Sequence, residues 1–189
     1  MTGWTAILPL KLSADRKSRL GPAMSLEDRR SLGDRMALHV ITQLRAVKAI
    51  DTILMLAPRP VPDWPVSHVL DQGRGLNAEL DAVAAGIAGP VLVIHGDLPL
   101  VSADDVSALI EAAQAGGSAI APDRHGLGTN ALALTARPPG FGYAFGPDSF
   151  ALHRQRLGIT LAVVKRDGLA CDVDTHDDLE QVRALNFKP

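Results

Sequence analysis

Cysteine is nearly absent from this 189-residue chain. Cys171 stands alone, which excludes an intramolecular disulfide and any cysteine-cluster metal site. So little cysteine leads one to expect a reducing cytoplasm. Aromatic residues make up only 4%, leaving few platforms on which single-stranded bases could stack. No charge of one sign dominates: 19 Lys and Arg face 21 Asp and Glu, a net −2, so no general nucleic-acid binder is expected. Long apolar runs are missing too. Val91–Ile94 and Leu161–Val164 are far shorter than the ~20 residues of a spanning helix, so no membrane span is expected. The start, Met1–Leu10, lacks the basic stretch of a secretory signal. Neither G-x-x-x-x-G-K-[ST] nor G-x-G-x-x-G occurs, so this is not a P-loop protein and carries no dinucleotide fingerprint.

What is present is the composition of a globular protein, 47% hydrophobic and 21% charged, at a length suited to one domain with a sizeable core. There is no low-complexity tract and no internal repeat. Trp4–Leu8 reads as a strand stopped by Pro9, and Lys11–Pro22 as a polar, basic loop. Ser25 with Asp28 has capping-box spacing and opens a helix to about Lys48, with Leu32, Met36, Leu38, Val40, Leu44 and Val47 at helical intervals. Thr52–Ala57 reads as a strand, the proline-rich Pro58–Pro65 as irregular, and Val66–Leu70 as a short strand. Leu76–Ala88 reads as a helix. Val91–Ile94 is wholly apolar, the mark of a central strand buried on both faces. Ser102 with Asp105 starts a helix that Gly116-Gly117 stops. Ser118–Ala121 and Asn130–Thr135 read as strands, Phe150–Leu157 as a helix, Thr160–Val164 as a strand and Leu169–Asp172 as a brief extended piece. Thr175 with Asp178 starts a last helix to about Leu185. Strands alternating with helices predict a three-layer α/β fold with a mostly parallel sheet. In such sheets ligands lie beyond the carboxyl ends of the strands.

Charge is unevenly spread. Residues 1–50 hold nine basic residues and four acids, whereas the last 25 hold six acids, four of them within Asp172–Asp178. That division suits an anionic substrate with a divalent cation, or simply two solvated faces. Asp97 follows the central strand through His95 and Gly96. It is placed either to hold Mg²⁺ on a phosphate or to shape a turn before Pro99. His95 reads as a packed residue rather than a catalyst. Asp172 and Asp174, two apart on an extended segment, present both carboxylates to one side and turn Val173 inward. Like charges so close repel unless a cation lies between them. Asp174 or Thr175 could instead only cap the last helix. Lys11, Arg16, Lys17 and Arg19 follow the first strand and form either a triphosphate clamp or an ordinary basic loop. Gly73-Arg74-Gly75-Leu76-Asn77 opens a helix, and Phe145-Gly146-Pro147-Asp148-Ser149 leads into another. Such starts offer free amides to an anion, though each also reads as a tight turn.

In order along the chain stand Pro9-Leu10-Lys11 with Lys17-Ser18-Arg19-Leu20, Gly73-Arg74-Gly75-Leu76-Asn77, Gly96-Asp97-Leu98-Pro99-Leu100, Ala121-Pro122-Asp123 with Gly128-Thr129-Asn130, Phe145-Gly146-Pro147 with Ser149-Phe150 and His153, and Asp172-Val173-Asp174-Thr175 with Asp178. Together they resemble the 2-phospho-L-lactate guanylyltransferase family, which includes phosphoenolpyruvate guanylyltransferases, over nearly the whole chain. The resemblance implies one nucleotidyltransferase domain of the glycosyltransferase-A type. It implies transfer of GMP from GTP to 2-phospho-L-lactate, phosphoenolpyruvate or 3-phosphoglycerate, with release of pyrophosphate, in coenzyme F-420 biosynthesis. It further implies that Asp97, Asp172 and Asp174 bind Mg²⁺ and that Thr129, Gly146 and Ser149 hold the acid. Lys11, Lys17 and Arg19 would meet the triphosphate, and Gly73, Arg74, Gly75 and Asn77 the nucleotide, with Lys17 and Asp97 carrying the catalysis. Nothing in the sequence opposes a homodimer. The rival readings are another nucleotidyltransferase of the same fold, a haloacid-dehalogenase-type phosphatase and a non-catalytic nucleotide-binding module. The phosphatase reading fails on order. Its D-x-D belongs on a first strand, and Asp172-Val173-Asp174 stands near the end of the chain.

Overall fold

A computed structural model describes residues 3–12, 20, 24–61 and 63–184. Seven strands form one sheet: β1 (Trp4–Pro9), β2 (Ile50–Ala57), β3 (Ser67–Leu70), β4 (Val91–Ile94), β5 (Ser118–Pro122), β6 (Thr129–Leu134) and β7 (Ala162–Val163). Their order across the sheet is β3-β2-β1-β4-β6-β5-β7. β6 runs antiparallel to both its neighbours, and every other pair is parallel. The helices are α1 (Leu26–Ala46), α2 (Leu76–Ala85), α3 (Ala103–Gly116), α4 (Ser149–Leu157), α5 (Asp167–Ala170) and α6 (His176–Ala184). No helix among the described residues is long and apolar enough to cross a membrane.

The three layers follow from the period-2 alternation of the strands. On β4, Leu92 and Ile94 face one core, with Ala37, Val40 and Leu44 of α1 and Val106, Leu109 and Ile110 of α3. Val91 and Val93 face the other, with Leu80 and Ala84 of α2 and the aromatic run Phe141, Tyr143 and Phe145. All four residues of β4 are buried, as a wholly apolar run requires. A third cluster joins Leu32 and Met36 of α1 to Val173, Leu179 and Val182. It seats the last helix beside the carboxyl end of the sheet.

Local signals explain the boundaries. Ser25 Oγ accepts from the Asp28 amide at 3.1 Å and starts α1. Ser102 and Asp105 form a reciprocal capping box on α3. The buried stripe of α1 includes Ile41, while Leu38 turns outward. Gly96 has the close approach its position suggests: a Cβ there would stand 3.3 Å from Leu8 Cδ2 and 3.4 Å from Ala37 Cβ.

Three boundaries depart from expectation. α2 stops at Ala85, because the Gly86 amide turns back to the Val83 carbonyl at 3.1 Å. The strand expected over 160–164 shrinks to Ala162–Val163 behind a 3-10 turn at Gly158–Thr160. Leu169–Asp172, expected to be extended, opens instead with the end of α5. There the Arg166 carbonyl accepts from both Leu169 and Ala170 amides. Gly168 allows this turn to pack closely, since a Cβ would meet the Leu100 carbonyl at 2.7 Å.

Leu92 touches no solvent and lies in the main core. Leu92→Ala is expected to cost about 2–5 kcal/mol, whereas Val163→Ala on the exposed edge strand stays within about 0.5 kcal/mol. Chemical denaturation of both variants beside wild type checks the pair.

Candidate active site

A crevice of about 1120 Å³ opens along the carboxyl end of the sheet, large enough for a nucleotide and a second small ligand together. Its walls are Leu56 near the end of β2, the segments that follow β1, β3, β4 and β5, the start of β6, the start of α4, and Asp172 and Asp174. Because β6 is reversed, its first residues, Thr129 and Asn130, lie where the parallel strands end.

At one end stand three carboxylates. The Val173 amide donates to the Asp97 carbonyl at 3.2 Å, lashing the segment 172–174 to the end of β4. Val173 is fully buried, and Asp172 and Asp174 on either side line the crevice with Asp97. Burial raises the Asp172 carboxyl above its ordinary range, the Asp97 charge adds to the effect, a hydrogen bond from Asn130 opposes it, and the Asp174 charge adds a smaller push upward. Mutual repulsion of this kind is what a cation relieves. Among the described residues no three His, Cys, Asp or Glu side chains stand close enough to enclose a metal ion by themselves. Mg²⁺ does not require that, since it is commonly held by one or two carboxylates plus substrate phosphates and water. The hard oxygen donors present fit it.

Two residues outside the expected set hold this end in place. Asn130 Nδ2 donates to the Leu169 carbonyl at 3.0 Å and, at 3.3 Å, to the Ala170 carbonyl and Asp172 Oδ1. Asp178 Oδ2 accepts from the Asp174 and Thr175 amides at 2.9 and 2.7 Å, and its Oδ1 accepts from Arg124. Thr175 Oγ1 caps the Asp178 amide in return. Capping and crevice lining therefore coexist on this segment.

On the opposite wall is the loop 71–77. Gly73 and Gly75 line the crevice, both at positive φ (80° and 94°), conformations that favour glycine. The structure directs Arg74 away from the role expected of it. Its guanidinium forms a two-pronged bond with Glu79, at 3.0 and 2.8 Å, and Arg74 does not line the crevice. Glu79, only 1% exposed, also accepts the Gln72 and Arg74 amides at 3.0 Å each. The Arg74 hydrogen bond, ahead of burial that opposes it, holds the Glu79 carboxyl down at about 2. A carboxylate on the buried side of an Ala-rich helix, four residues past a glycine, was the available signal for this anchor. Asn77 is likewise a brace. Its Nδ2 donates to the Phe145 carbonyl at 3.0 Å and its Oδ1 accepts from the Phe145 amide at 2.7 Å.

That brace joins the loop 71–77 to the third wall, which brings Thr129, Gly146 and Ser149 together along the crevice. Gly146 has φ 124°. The helix-start amides expected to be free are in part engaged: Ser149 donates to the Gly146 carbonyl and Phe150 to that of Leu127. Behind the wall His153 is fully buried and bonded to Thr129 and Ala144. Burial, with the Arg156 and His95 charges, pushes its pKa down to about 4. His95 packs against the Phe145 ring at 5.3 Å, and its buried Nε2 has no hydrogen-bond partner among the described residues. Lys11 is exposed on the crevice beside the end of β1. Arg16, Lys17 and Arg19 lie outside the described residues.

Over residues 4–184 the chain matches a family model described as guanylyl transferase CofC like. It is 37% identical to a phosphoenolpyruvate guanylyltransferase of Sphaerobacter thermophilus, covering 94% of this chain and 91% of that one. It is 36% identical to another of Rubrobacter xylanophilus, covering 97% of each. Among solved structures it resembles a putative nucleotide-diphospho-sugar transferase from Desulfovibrio desulfuricans, with TM-score 0.75, 18% identity and coverage of 98% and 88%. It also resembles a CMP:2-keto-3-deoxy-manno-octonic acid synthetase, with TM-score 0.59, 14% identity and coverage of 97% and 98%. These structural likenesses establish the shared nucleotidyltransferase fold.

The Glu79 anchor makes a pH-dependent contribution with a definite sign. A carboxyl held below its ordinary 4.5 adds stability that is complete above about pH 4.5 and declines as pH falls toward about 2. The stability gap between wild type and Glu79→Gln, followed by denaturant unfolding from pH 6 downward, is expected to shrink over that window.

Proposed function

Since the chain belongs to the guanylyl transferase CofC-like family and is thus a nucleotidyltransferase, we propose that it joins GMP from GTP to a small phosphorylated three-carbon acid and releases pyrophosphate. Phosphoenolpyruvate is the first choice, as the relatives' names suggest, with 2-phospho-L-lactate next. The pathway proposed is coenzyme F-420 biosynthesis. The observation that carries this reading is the single crevice with three differently built walls. Carboxylates stand at one end, a glycine loop at another, and Thr129 with Ser149 on the third.

The chemistry asks little of the protein beyond placement. An oxygen of the acid's phosphate attacks the α-phosphorus of GTP. A P–O bond forms there, the bond to the bridging oxygen breaks, and pyrophosphate leaves with that electron pair. The attacking oxygen is already anionic near pH 7, because the second phosphate pKa is about 6, so no base is needed. The barrier lies in bringing two anions together in line. Asp97 and Asp172, with Asp174, would hold Mg²⁺, which neutralises phosphate charge and orients the reacting oxygens when bound. Lys11, with Lys17 and Arg19, takes the triphosphate. Gly73 and Gly75 let the backbone approach the nucleotide, with Arg74 and Asn77 shaping that loop. Thr129, Gly146 and Ser149 take the acid.

Pyrophosphate release is to be measured with GTP, Mg²⁺ and each of the three acids in turn. Phosphoenolpyruvate is expected to support turnover, and GTP to exceed ATP. Equal rates with both nucleotides would refute the base assignment. Asp97→Asn is expected to lower turnover by about 10²-fold or more with a melting temperature close to wild type, and an active variant would remove Asp97 from the chemistry.

A further inference from the structure

His153 has no exposed surface and lies behind the acid wall, on the fourth residue after Ser149. Two bonds to its ring determine which nitrogen carries the proton. The Ala144 backbone amide points at Nε2 from 3.1 Å. A backbone amide can only donate, so Nε2 must offer a lone pair. A neutral imidazole has one N–H, and it therefore sits on Nδ1. Nδ1 faces Thr129 Oγ1 at 3.1 Å, which can accept. Thr129 cannot donate to a nitrogen that already bears a proton. Among the described residues its hydroxyl has no other hydrogen bond. Thr129 is 2% exposed, yet it lines the crevice.

From this we infer that His153 is a positioning residue: fixed as the Nδ1–H tautomer by the Ala144 amide, it commits the Thr129 hydroxyl to donate into the crevice, toward an anionic oxygen. The inference rests on the reading that a phosphorylated acid occupies this wall, and it names the atom that meets the acid's oxygen. A hydroxyl free to rotate accepts or donates alike. One that accepts from an N–H cannot donate back to that nitrogen, so its own O–H is left to donate elsewhere, and a carboxylate is a stronger acceptor for it than an amide or ester carbonyl carrying less negative charge. The ring is shielded from water by Phe145, at 4.9 Å between centroids, and by Phe141 at 6.4 Å. The same His153 contacts tie β6, the 144–146 segment and the first turn of α4 into one unit.

Two amide replacements separate the two ring nitrogens. His153→Asn can place an N–H where Nδ1 stood and keep the bond to Thr129. His153→Gln can place a carbonyl where Nε2 stood and keep the bond to Ala144 alone. The expected result is a KM for the acid near wild type in His153→Asn and about tenfold higher in His153→Gln, with the KM for GTP within about twofold in both. Thr129→Val should raise the acid KM similarly, and the Thr129→Val/His153→Gln double variant should be no worse than Thr129→Val alone. Equal losses in both His153 variants, equal movement of the GTP constant, or additive losses in the double variant would overturn the positioning role. Long-range ¹H–¹⁵N correlation spectra of the wild-type protein read the tautomer without any substrate. An Nδ1–H pattern at pH 7 is expected, and an Nε2–H or doubly protonated ring would overturn the assignment. If wild type releases pyrophosphate with none of the acids, the functional reading and the ligand half of this inference fail together, while the tautomer still stands or falls on the spectrum.

Discussion

The reversal of one strand governs everything at the crevice. β6 is inserted between β4 and β5 against their direction. A seventh parallel strand would have put Thr129 and Asn130 at the far end of the sheet. Reversed, it brings a threonine and an asparagine to the end where the parallel strands deliver Asp97 and Lys11. Asn130 then reaches across to the 169–172 segment. The brace of the carboxylate end, Asn130, and the crevice-lining Thr129 are consecutive residues of the same strand.

Around that arrangement buried polar side chains hold the loops alongside the apolar packing of Val173 and Phe145. Glu79 gathers two loop amides and the Arg74 guanidinium. Asp178 gathers two amides ahead of α6, and His153 links Thr129 to Ala144. Each is nearly inaccessible to solvent. A buried polar group that loses its partner is costly, so these contacts specify loop shape strongly. Catalysis by placement needs such preorganisation, because a small displacement of two anionic reactants costs more than a weakened contact elsewhere.

Much of this was legible in the residues alone. The Ser25, Ser102 and Thr175 signals marked helix starts correctly, and the Val91–Ile94 run identified the central strand, because both kinds of signal act within a few residues. The carboxylates Asp97, Asp172 and Asp174 were visible for the same reason: each sits at the end of a recognisable segment. The Arg74–Glu79 bond, the Asn77–Phe145 brace and the Asn130 bridge were not legible, since each depends on which loop the fold lays beside which. The reversal of β6 was equally hidden. A strand's pattern records which faces are buried and not its direction. The helical turn at Asp167–Ala170 escaped because it depends on Gly168 fitting against Leu100 and Asp105, a contact far away in sequence.

The Asn77–Phe145 brace also couples two walls of the crevice. One side-chain amide satisfies both backbone groups of Phe145, as a neighbouring strand would. The glycine loop 71–77 and the turn leading to Ser149 are thereby fastened to each other across the crevice wall. The shape of either face is therefore set partly by a carboxamide that belongs to the other.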